Sequence, residues 1–361
     1  MKTNSFYSRW WVSYLVLATI LFLPSASPRA ADKINMIYTA RVMSQAYPWF
    51  AQEAGLFKKY DLDVPLVFVT PGAPSVAAIL SGDSEVAVIG AASITRPVVQ
   101  GNKDPVLIGG IKSLLTHSII AKPDIKRPEQ LKGKRIGVSR IGSNPHYFAV
   151  QALRHFGIDS REVSFIQAGG APETLAVLVA QGIDAAVLTV PTDAQALKLG
   201  YHYVVYGPDL RIAYAATTVT TRRSIIAKRG PVISRFMRAM AEAAKIMHTD
   251  KEYMYKVMAK YLRVDDRKLL EASYNVESKA LEPRLALKLE GIQSTLDEIA
   301  PLEPRAKSVK PQEMVDNRYL DEIAPIEPRA KNVKPQEMID TRYLDEMEKS
   351  GFFEQIWGGK K

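Results

Sequence analysis

The chain contains no cysteine, so no disulfide can stabilise it and no lipid-modified cysteine can tether it to a membrane. It has only five histidines, which lie far apart and form no short metal-binding motif. No glycine-rich loop ends in Lys-Ser or Lys-Thr, and Gly137–Ile141 lacks the closing glycine of a nucleophile elbow. The sequence therefore predicts no metal site, no cofactor and no catalytic residue.

Dense clusters of positive charge are also missing. The net charge is +10, but no compact run of Lys and Arg is interleaved with aromatic residues, so nucleic acid is not an expected partner. With 47% hydrophobic and 24% charged residues the chain is expected to be globular. A chain of this length exceeds one ordinary hydrophobic core, which favours two lobes.

No apolar run is long enough for a comfortable membrane span. The longest, Trp10–Leu23, follows the positive charges of Lys2 and Arg9 and is too short for a typical transmembrane helix. We interpret residues 1–31 as a cleaved secretory signal peptide; the alternative is an uncleaved anchor. Loss of this segment, which includes Arg29, lowers the net charge to +7.

One pattern occurs twice in the chain. Residues 66–89 have the character of a strand, a Gly-Ala-Pro turn, an apolar helix, a glycine and a second strand, and residues 163–188 repeat that order. In each half, a glycine permits a tight turn at the carboxyl end of a strand, and the proline suits a first helical turn. Ligands of open α/β sheets bind at such strand ends. The duplication predicts two α/β lobes, each with a mainly parallel sheet, and a ligand cleft between them.

The C-terminal tail contains a tandem repeat of 24 residues. Residues 296–319 and 320–343 differ at only four paired positions. Two copies are too few to build a solenoid core of their own. We interpret the second copy as a duplication that lengthens a peripheral helical segment, and we expect a short helix around Gln312–Tyr319 in the first copy.

Several short segments of the chain are together specific for one family. They are Tyr47–Phe57, Tyr60–Val64, Leu80–Asp83, Arg127–Lys134, Gly137–Arg140 and Asp340–Leu344. With these segments the chain resembles the periplasmic substrate-binding proteins of nitrate/sulfonate/taurine-type ABC importers, a family that includes relatives which bind thiamine-pyrimidine precursors. The resemblance covers nearly the whole chain after the signal peptide.

The resemblance implies a type II periplasmic binding protein: two α/β lobes joined by two crossover segments, which close on a ligand by hinge motion, followed by a helical C-terminal extension. We expect the crossings at residues 117–134 and 215–221. The expected divisions are a signal peptide at 1–31, lobe I at 32–121, lobe II at 122–213, the helical return of lobe I at 214–295, and a tail at 296–361.

The resemblance also implies a function, that of the solute-binding component of an ABC importer. Such a protein works in the periplasm and does not chemically alter its ligand. The implied ligand is a small organic solute, either a sulfonate-, nitrate- or taurine-like anion or a pyrimidine-like molecule. The implied partner is an inner-membrane permease, and we expect a monomer. The alternatives are an enzyme of thiamine-pyrimidine synthesis, whose relatives have cysteine-rich active sites, and a ligand-binding sensor partner.

Loops at the predicted strand ends supply the candidate ligand-binding residues. These are Ser44, Gln45, Gly72, Gly90, Ala91, Ala92, Ser139, Arg140, Gly142, Ser143, Gly170 and Thr189. Arg140 is the charged candidate, because an arginine at a cleft binds carboxylate or sulfonate bidentately. Arg41, Tyr47 and Tyr147 are further candidates. The alternative for each loop is a turn needed only for connection.

Overall fold

The computed structural model describes residues 30–314 and 349–351. Residues 1–29, which contain almost all of the predicted signal peptide, lie outside the described residues, as does the second repeat copy. Within the described part of the chain, no helix combines the length and the apolar character needed to cross a membrane.

Strands and helices alternate through most of the described chain. The strands are β1 (Asp32–Lys33), β2 (Met36–Tyr38), β3 (Leu62–Asp63), β4 (Leu66–Phe68), β5 (Val86–Ile89), β6 (Pro105–Leu114), β7 (Ser118–Ala121), β8 (Arg135–Val138), β9 (Ser164–Gln167), β10 (Ala185–Leu188), β11 (His202–Val205) and β12 (Ala213–Arg222). The helices are α1 (Tyr47–Glu53), α2 (Leu56–Lys59), α3 (Ala73–Ser81), α4 (Ala92–Val99), α5 (Asn144–His155), α6 (Ala171–Val179), α7 (Thr192–Lys198), α8 (Gly207–Leu210), α9 (Arg223–Thr249), α10 (Lys251–Leu262), α11 (Arg267–Glu277) and α12 (Leu289–Ile299).

Two five-stranded sheets form the centres of the two lobes. The first lobe has the strand order β4-β2-β5-β12-β6, and the second has β11-β7-β10-β8-β9. In the first sheet β2 is parallel to β4 and β5, whereas β12 is antiparallel to its neighbours β5 and β6. In the second sheet β8 is parallel to β9 and β10, whereas β7 runs antiparallel to β10 and β11. Each sheet is therefore parallel except for one strand next to a crossing.

The first crossing is shorter than expected, and the return is wrong in position. Ser118–Ala121 already pairs with two strands of the second sheet, so the chain changes lobe between Leu114 and Ser118, and most of the expected stretch 117–134 lies within the second lobe. The return occurs before Ala213, because residues 215–221 lie inside β12 and pair within the first sheet. The two crossovers, residues 115–117 and 206–212, are short and lie side by side, since the N–H of Leu115 donates to the carbonyl of Ile212 at 3.0 Å.

The first lobe is completed by the helices that follow β12. Phe236, Met240, Ala244 and Met247 recur in the sequence at helical spacing, which predicts a helix from Pro231 onward, and all four are buried in the main core of the first lobe. The helix α9 begins earlier than that, at Arg223, and has a non-helical residue at Arg229. The second lobe has its own core around Phe148, Leu153 and Val187.

The first repeat copy packs on the first lobe. Leu296, Ala306 and Met314 are almost fully buried there, and only the first turn of the expected 312–319 helix is described, as a 3₁₀ helix over Pro311–Met314. The docked helix α12 also uses residues that precede the repeat. A Cβ on Gly291 would lie 2.7 Å from the nitrogen of Ala215.

The helix α12 makes a second contact through a residue that precedes the repeat, and this contact shows which of the two copies can pack on the first lobe. Thr295, fully buried, shares a 2.9 Å hydrogen bond with Thr95. The residues that stand before the second copy at the positions of Gly291 and Thr295 are Val315 and Tyr319, which are too large for those contacts. The helix register therefore favours docking of the first copy.

We expect excision of residues 320–343 to leave folding unchanged, because it joins Tyr319 to Leu344 and recreates the local sequence of the Tyr343–Leu344 junction. The excised protein should melt within a few degrees of the parent. Excision of residues 296–319 is the matched control. It joins Thr295 to Leu320, so the second copy follows Thr295 in the register that the first copy had, and the melting temperature should again lie within a few degrees of the parent's. A large loss of soluble protein in either variant would show that the duplication has become part of the core.

Candidate functional site

The loops at the carboxyl ends of the strands of the two lobes meet each other. Gly72 follows β4 in the first lobe and has a left-handed backbone with φ of +91°. A Cβ built on it would lie 3.6 Å from Nη1 of Arg140, which follows β8 in the second lobe. Two of the predicted site residues are thus brought together across the cleft, and a glycine at position 72 leaves room for the guanidinium.

A second contact joins the lobes near Gly90. Asn144, the first residue of α5, donates from Nδ2 to the carbonyl of Ala216 in β12 at 2.9 Å. A Cβ on Gly90 would lie 3.1 Å from that carbonyl oxygen and 3.2 Å from Oδ1 of Asn144. Sequence reasoning missed Asn144; the signal available was its place at the start of a helix, directly after Gly142 and Ser143.

The first loop of the site is held by its own side chains. The amide oxygen of Gln45 accepts hydrogen bonds from the backbone N–H of Thr39 at 2.8 Å and of Ala40 at 3.2 Å, and its Nε2 donates to Oγ1 of Thr39. Ser44 is buried and accepts a hydrogen bond from Thr217. Gln45 therefore shapes the strand end, and Ser44 is fixed against β12.

The loop after β5 consists of Gly90, Ala91 and Ala92, so it offers the site backbone groups and no polar side chain. The N–H of Ala91 donates to the carbonyl of Ala215 at 3.0 Å, so that N–H is not available to a ligand. Ala92 begins α4 and packs against the core of the second lobe. Ala92 therefore contributes to the contact between the lobes, whereas Ala91 is held within the first lobe.

The loop after β8 leaves its arginine side chain exposed. The hydroxyl of Ser143 donates to the carbonyl of Arg140 at 2.6 Å, and the N–H of Gly142 donates to Nδ1 of His146 at 3.2 Å. Ser139 is half-buried between the strand end and this turn. Within the described part of the chain, no carboxylate forms a salt bridge with Arg140, so its charge remains available to an anion.

The remaining two predicted residues differ in their surroundings. A Cβ on Gly170 would lie 2.6 Å from the Oε2 of Glu173, so an anion at this helix start would meet a like charge. Thr189 follows β10 and is only 8% exposed, and its hydroxyl has no hydrogen-bond partner in the described structure. Nearby, burial raises the pKa of Asp193, while hydrogen bonds from the N–H of Ala194 and the hydroxyl of Tyr203 oppose that rise.

Three further candidates lie at the edge of the site or away from it. Tyr47 is fully buried, and its hydroxyl hydrogen-bonds to His248 at 3.1 Å, so it belongs to the first lobe's core. Tyr147 stacks on Tyr214, and burial raises its pKa to about 12. The guanidinium of Arg41 lies 5.4 Å from the centre of the Phe68 ring, on the outer strand β4.

The contacts of Gly72 and Gly90 show the lobes touching, with little open space between these loops. A cavity of about 360 Å³ lies instead beside the two crossovers and includes Thr116, Tyr206 and Lys279 in its lining. None of the predicted site residues lines it.

Comparison with known proteins identifies relatives across most of the chain. The NMT1/THI5-like family model matches residues 46–252. A putative binding protein of Brucella abortus (strain 2308) is 25% identical over 288 residues, which cover 77% of this chain and 87% of that protein. The taurine-binding periplasmic protein of Escherichia coli (strain K12) is 32% identical over 129 residues, 34% of this chain and 37% of its own length.

A solved structure has the same fold. The alkanesulfonate-binding protein of Xanthomonas axonopodis pv. citri, bound to MOPS, aligns with a TM-score of 0.64 at 17% identity, over 79% of this chain and 96% of its own. The match confirms the predicted fold class.

Proposed function

Because the chain belongs to the NMT1/THI5-like family, we propose that it is the extracytoplasmic solute-binding component of an ABC importer, binding a small organic anion between its lobes. The observation that carries the proposal is the approach of Arg140 to Gly72 across the cleft. An exposed guanidinium that pairs with no carboxylate among the described residues, at the junction of the two lobes, suits an anion bound by closure. The name of the taurine-binding relative supports the same ligand class.

The protein does no chemistry on its ligand and passes it to a permease of the inner membrane. The predicted signal peptide supports a periplasmic location, and the absence of cysteine from the sequence disfavours the cysteine-rich enzymes of thiamine-pyrimidine synthesis. Fold alone does not separate a binding protein from an enzyme. A thermal-shift screen over sulfonates, aromatic carboxylates, pyrimidines and nitrate should identify a ligand that raises the melting temperature. Conversion of that ligand into a product would overturn the proposal.

We expect the double replacement Ser139→Ala with Arg140→Ala to weaken binding of the anion found in that screen by about 10- to 100-fold, because a hydrogen bond to a charged group contributes roughly 1.5–3 kcal/mol. Both side chains lie at a turn and contribute little to the core, so the melting temperature of the unliganded protein should stay close to that of the parent. Isothermal titration measures the affinity.

Arg161→Ala is the matched control for this experiment. Arg161 is also an exposed arginine of the second lobe, but its guanidinium pairs locally with Asp159. Its loss should leave the affinity unchanged. Equal affinities for the parent and for the Ser139/Arg140 variant would place the anion elsewhere.

A further inference from the structure

Two buried polar atoms at the crossover end of the cleft have no hydrogen-bond partner in the described structure. They are Nδ1 of His117, in the first crossover, and Oγ1 of Thr189, directly after β10. His117 is 9% exposed and Thr189 is 8% exposed. A buried polar atom without a partner is costly, and proteins seldom keep one unless a ligand or a water meets it.

The strand register brings the two residues to the same end of neighbouring strands. β7 and β10 are antiparallel and their last pair is Leu188 with Ser118, so Thr189 and His117 each follow directly beyond that pair. Side chains alternate along a strand. Ile119 and Val187 both lie in the core of the second lobe, so His117 and Thr189 project from that same face of the sheet. The ring of His117 lies 5.9 Å from that of Phe148, which confirms its side of the sheet.

The backbone around His117 is held firmly. A Cβ on Gly207 would lie 1.5 Å from the carbonyl oxygen of His117, which shows how closely the two crossovers pack. The N–H of Gly207 also donates to the hydroxyl of Ser118 at 3.1 Å. Because of this packing, His117 has little freedom to find another partner by moving.

The surroundings of the pair favour an uncharged ligand group. Burial, together with the nearby charge of Lys112, lowers the pKa of His117 to about 3, so its imidazole is neutral at physiological pH. Lys112 itself is paired with Glu277 at 2.8 Å. A ligand group that carried a charge here would lose its hydration without a free counter-charge. A hydroxyl or carbonyl group can instead bond to the Thr189 hydroxyl and to the imidazole nitrogen.

We propose that His117 and Thr189 form a second recognition point of the cleft, which binds an uncharged hydroxyl or carbonyl group of a solute whose anionic end lies at Arg140. The inference rests on the proposed function and extends it, because it specifies a solute with two different polar ends. Simple alkyl anions fill the cleft without satisfying the buried pair. They are therefore poorer ligands than anions of equal length that end in a hydroxyl.

The test compares matched anions by isothermal titration. The pairs are 2-hydroxyethanesulfonate against 1-propanesulfonate, 3-hydroxypropanesulfonate against 1-butanesulfonate, and 4-hydroxybutanoate against pentanoate. In the full-length protein we expect the hydroxylated member to bind at least about tenfold more tightly in one or more pairs, because a site built to bond a hydroxyl rejects the analogue that lacks it. Thr189→Val, nearly identical in shape, should reduce that preference to about twofold or less, and Thr189→Ser should retain it.

The outcomes separate the two proposals. If the anions bind without preference for the hydroxyl, or if Thr189→Val leaves the preference intact, the recognition point is wrong and the solute-binding function stands; a trapped water then satisfies the pair. If no anion of either head group binds, the anion-binding function fails and the recognition point fails with it. His117→Phe offers a second variant should Thr189→Val not fold, and it should abolish the preference in the same way.

Discussion

Replacing Lys112 by methionine is expected to destabilise the protein by about 3–5 kcal/mol, the usual cost of removing one partner of a buried ion pair. Lys112 lies in β6 and Glu277 at the end of α11, and their side chains are 4% and 3% exposed. The ammonium group lies 2.8 Å from both carboxylate oxygens of Glu277. Without Lys112, the carboxylate would stay buried and uncompensated.

The same pair anchors the first crossover. The hydroxyl of Thr116 accepts a hydrogen bond from Lys112 and donates one to Glu277. Thr116 is therefore fixed to the first lobe, and a single residue, His117, separates it from β7. We expect the Lys112→Met variant to lose affinity for the solute as well as stability, because the start of the crossover is no longer held.

Two controls distinguish burial of the charges from the mere presence of a salt bridge. The double variant Lys112→Met with Glu277→Leu should recover much of the lost free energy of unfolding, since it leaves no buried charge. Lys198→Met breaks the exposed pair with Asp266, whose side chains are 63% and 42% exposed, and should cost about 1 kcal/mol or less. Urea unfolding measures the free energy of unfolding of the two single variants and of the double variant. Equal losses for Lys112→Met and Lys198→Met would contradict the role given to burial.

Much of the fold follows from local sequence signals. The strands Arg135–Val138 and Ala185–Leu188 are each a short apolar run bounded by turn residues, the pattern from which a strand is predicted. The crossings were misplaced for a definite reason. An antiparallel strand such as β12, rich in threonine and alanine, has the same local composition as an extended linker. Only its pairing with β5 and β6 reveals that it belongs to a sheet.

The site was predictable as a set of loops but not as a set of side-chain roles. Strand ends followed by glycine locate the loops of Gly72 and Arg140, which the structure brings together. The sequence does not show that the amide of Gln45 is occupied by the backbone of Thr39 and Ala40, since that depends on the turn formed between them. Nor does it show that His117 and Thr189 lie at the same end of β7 and β10, because the pairing of those strands joins segments far apart in the chain.

Among the described glycines, Gly207 has the least room for a side chain, and this predicts the second large effect. Gly207→Ala should destabilise the protein by more than about 3 kcal/mol, because the new methyl group would lie 1.5 Å from the carbonyl oxygen of His117. That oxygen belongs to the backbone of the other crossover, so no side-chain rotation can relieve the clash. The crossovers would have to separate, and the hydrogen bond from Gly207 to Ser118 would be lost.

Gly170→Ala is the matched control, since it adds the same methyl group at another helix start. There the new Cβ would lie 2.6 Å from the carboxylate oxygen of Glu173, at the far end of a flexible, exposed side chain that can swing aside. Its backbone φ of −66° suits alanine. We therefore expect urea unfolding to show a change of about 1 kcal/mol or less for Gly170→Ala. If Gly207→Ala behaved like this control, the two crossovers would have to be less tightly packed than their backbone contact indicates, and the rigid placement of His117 would lose its basis.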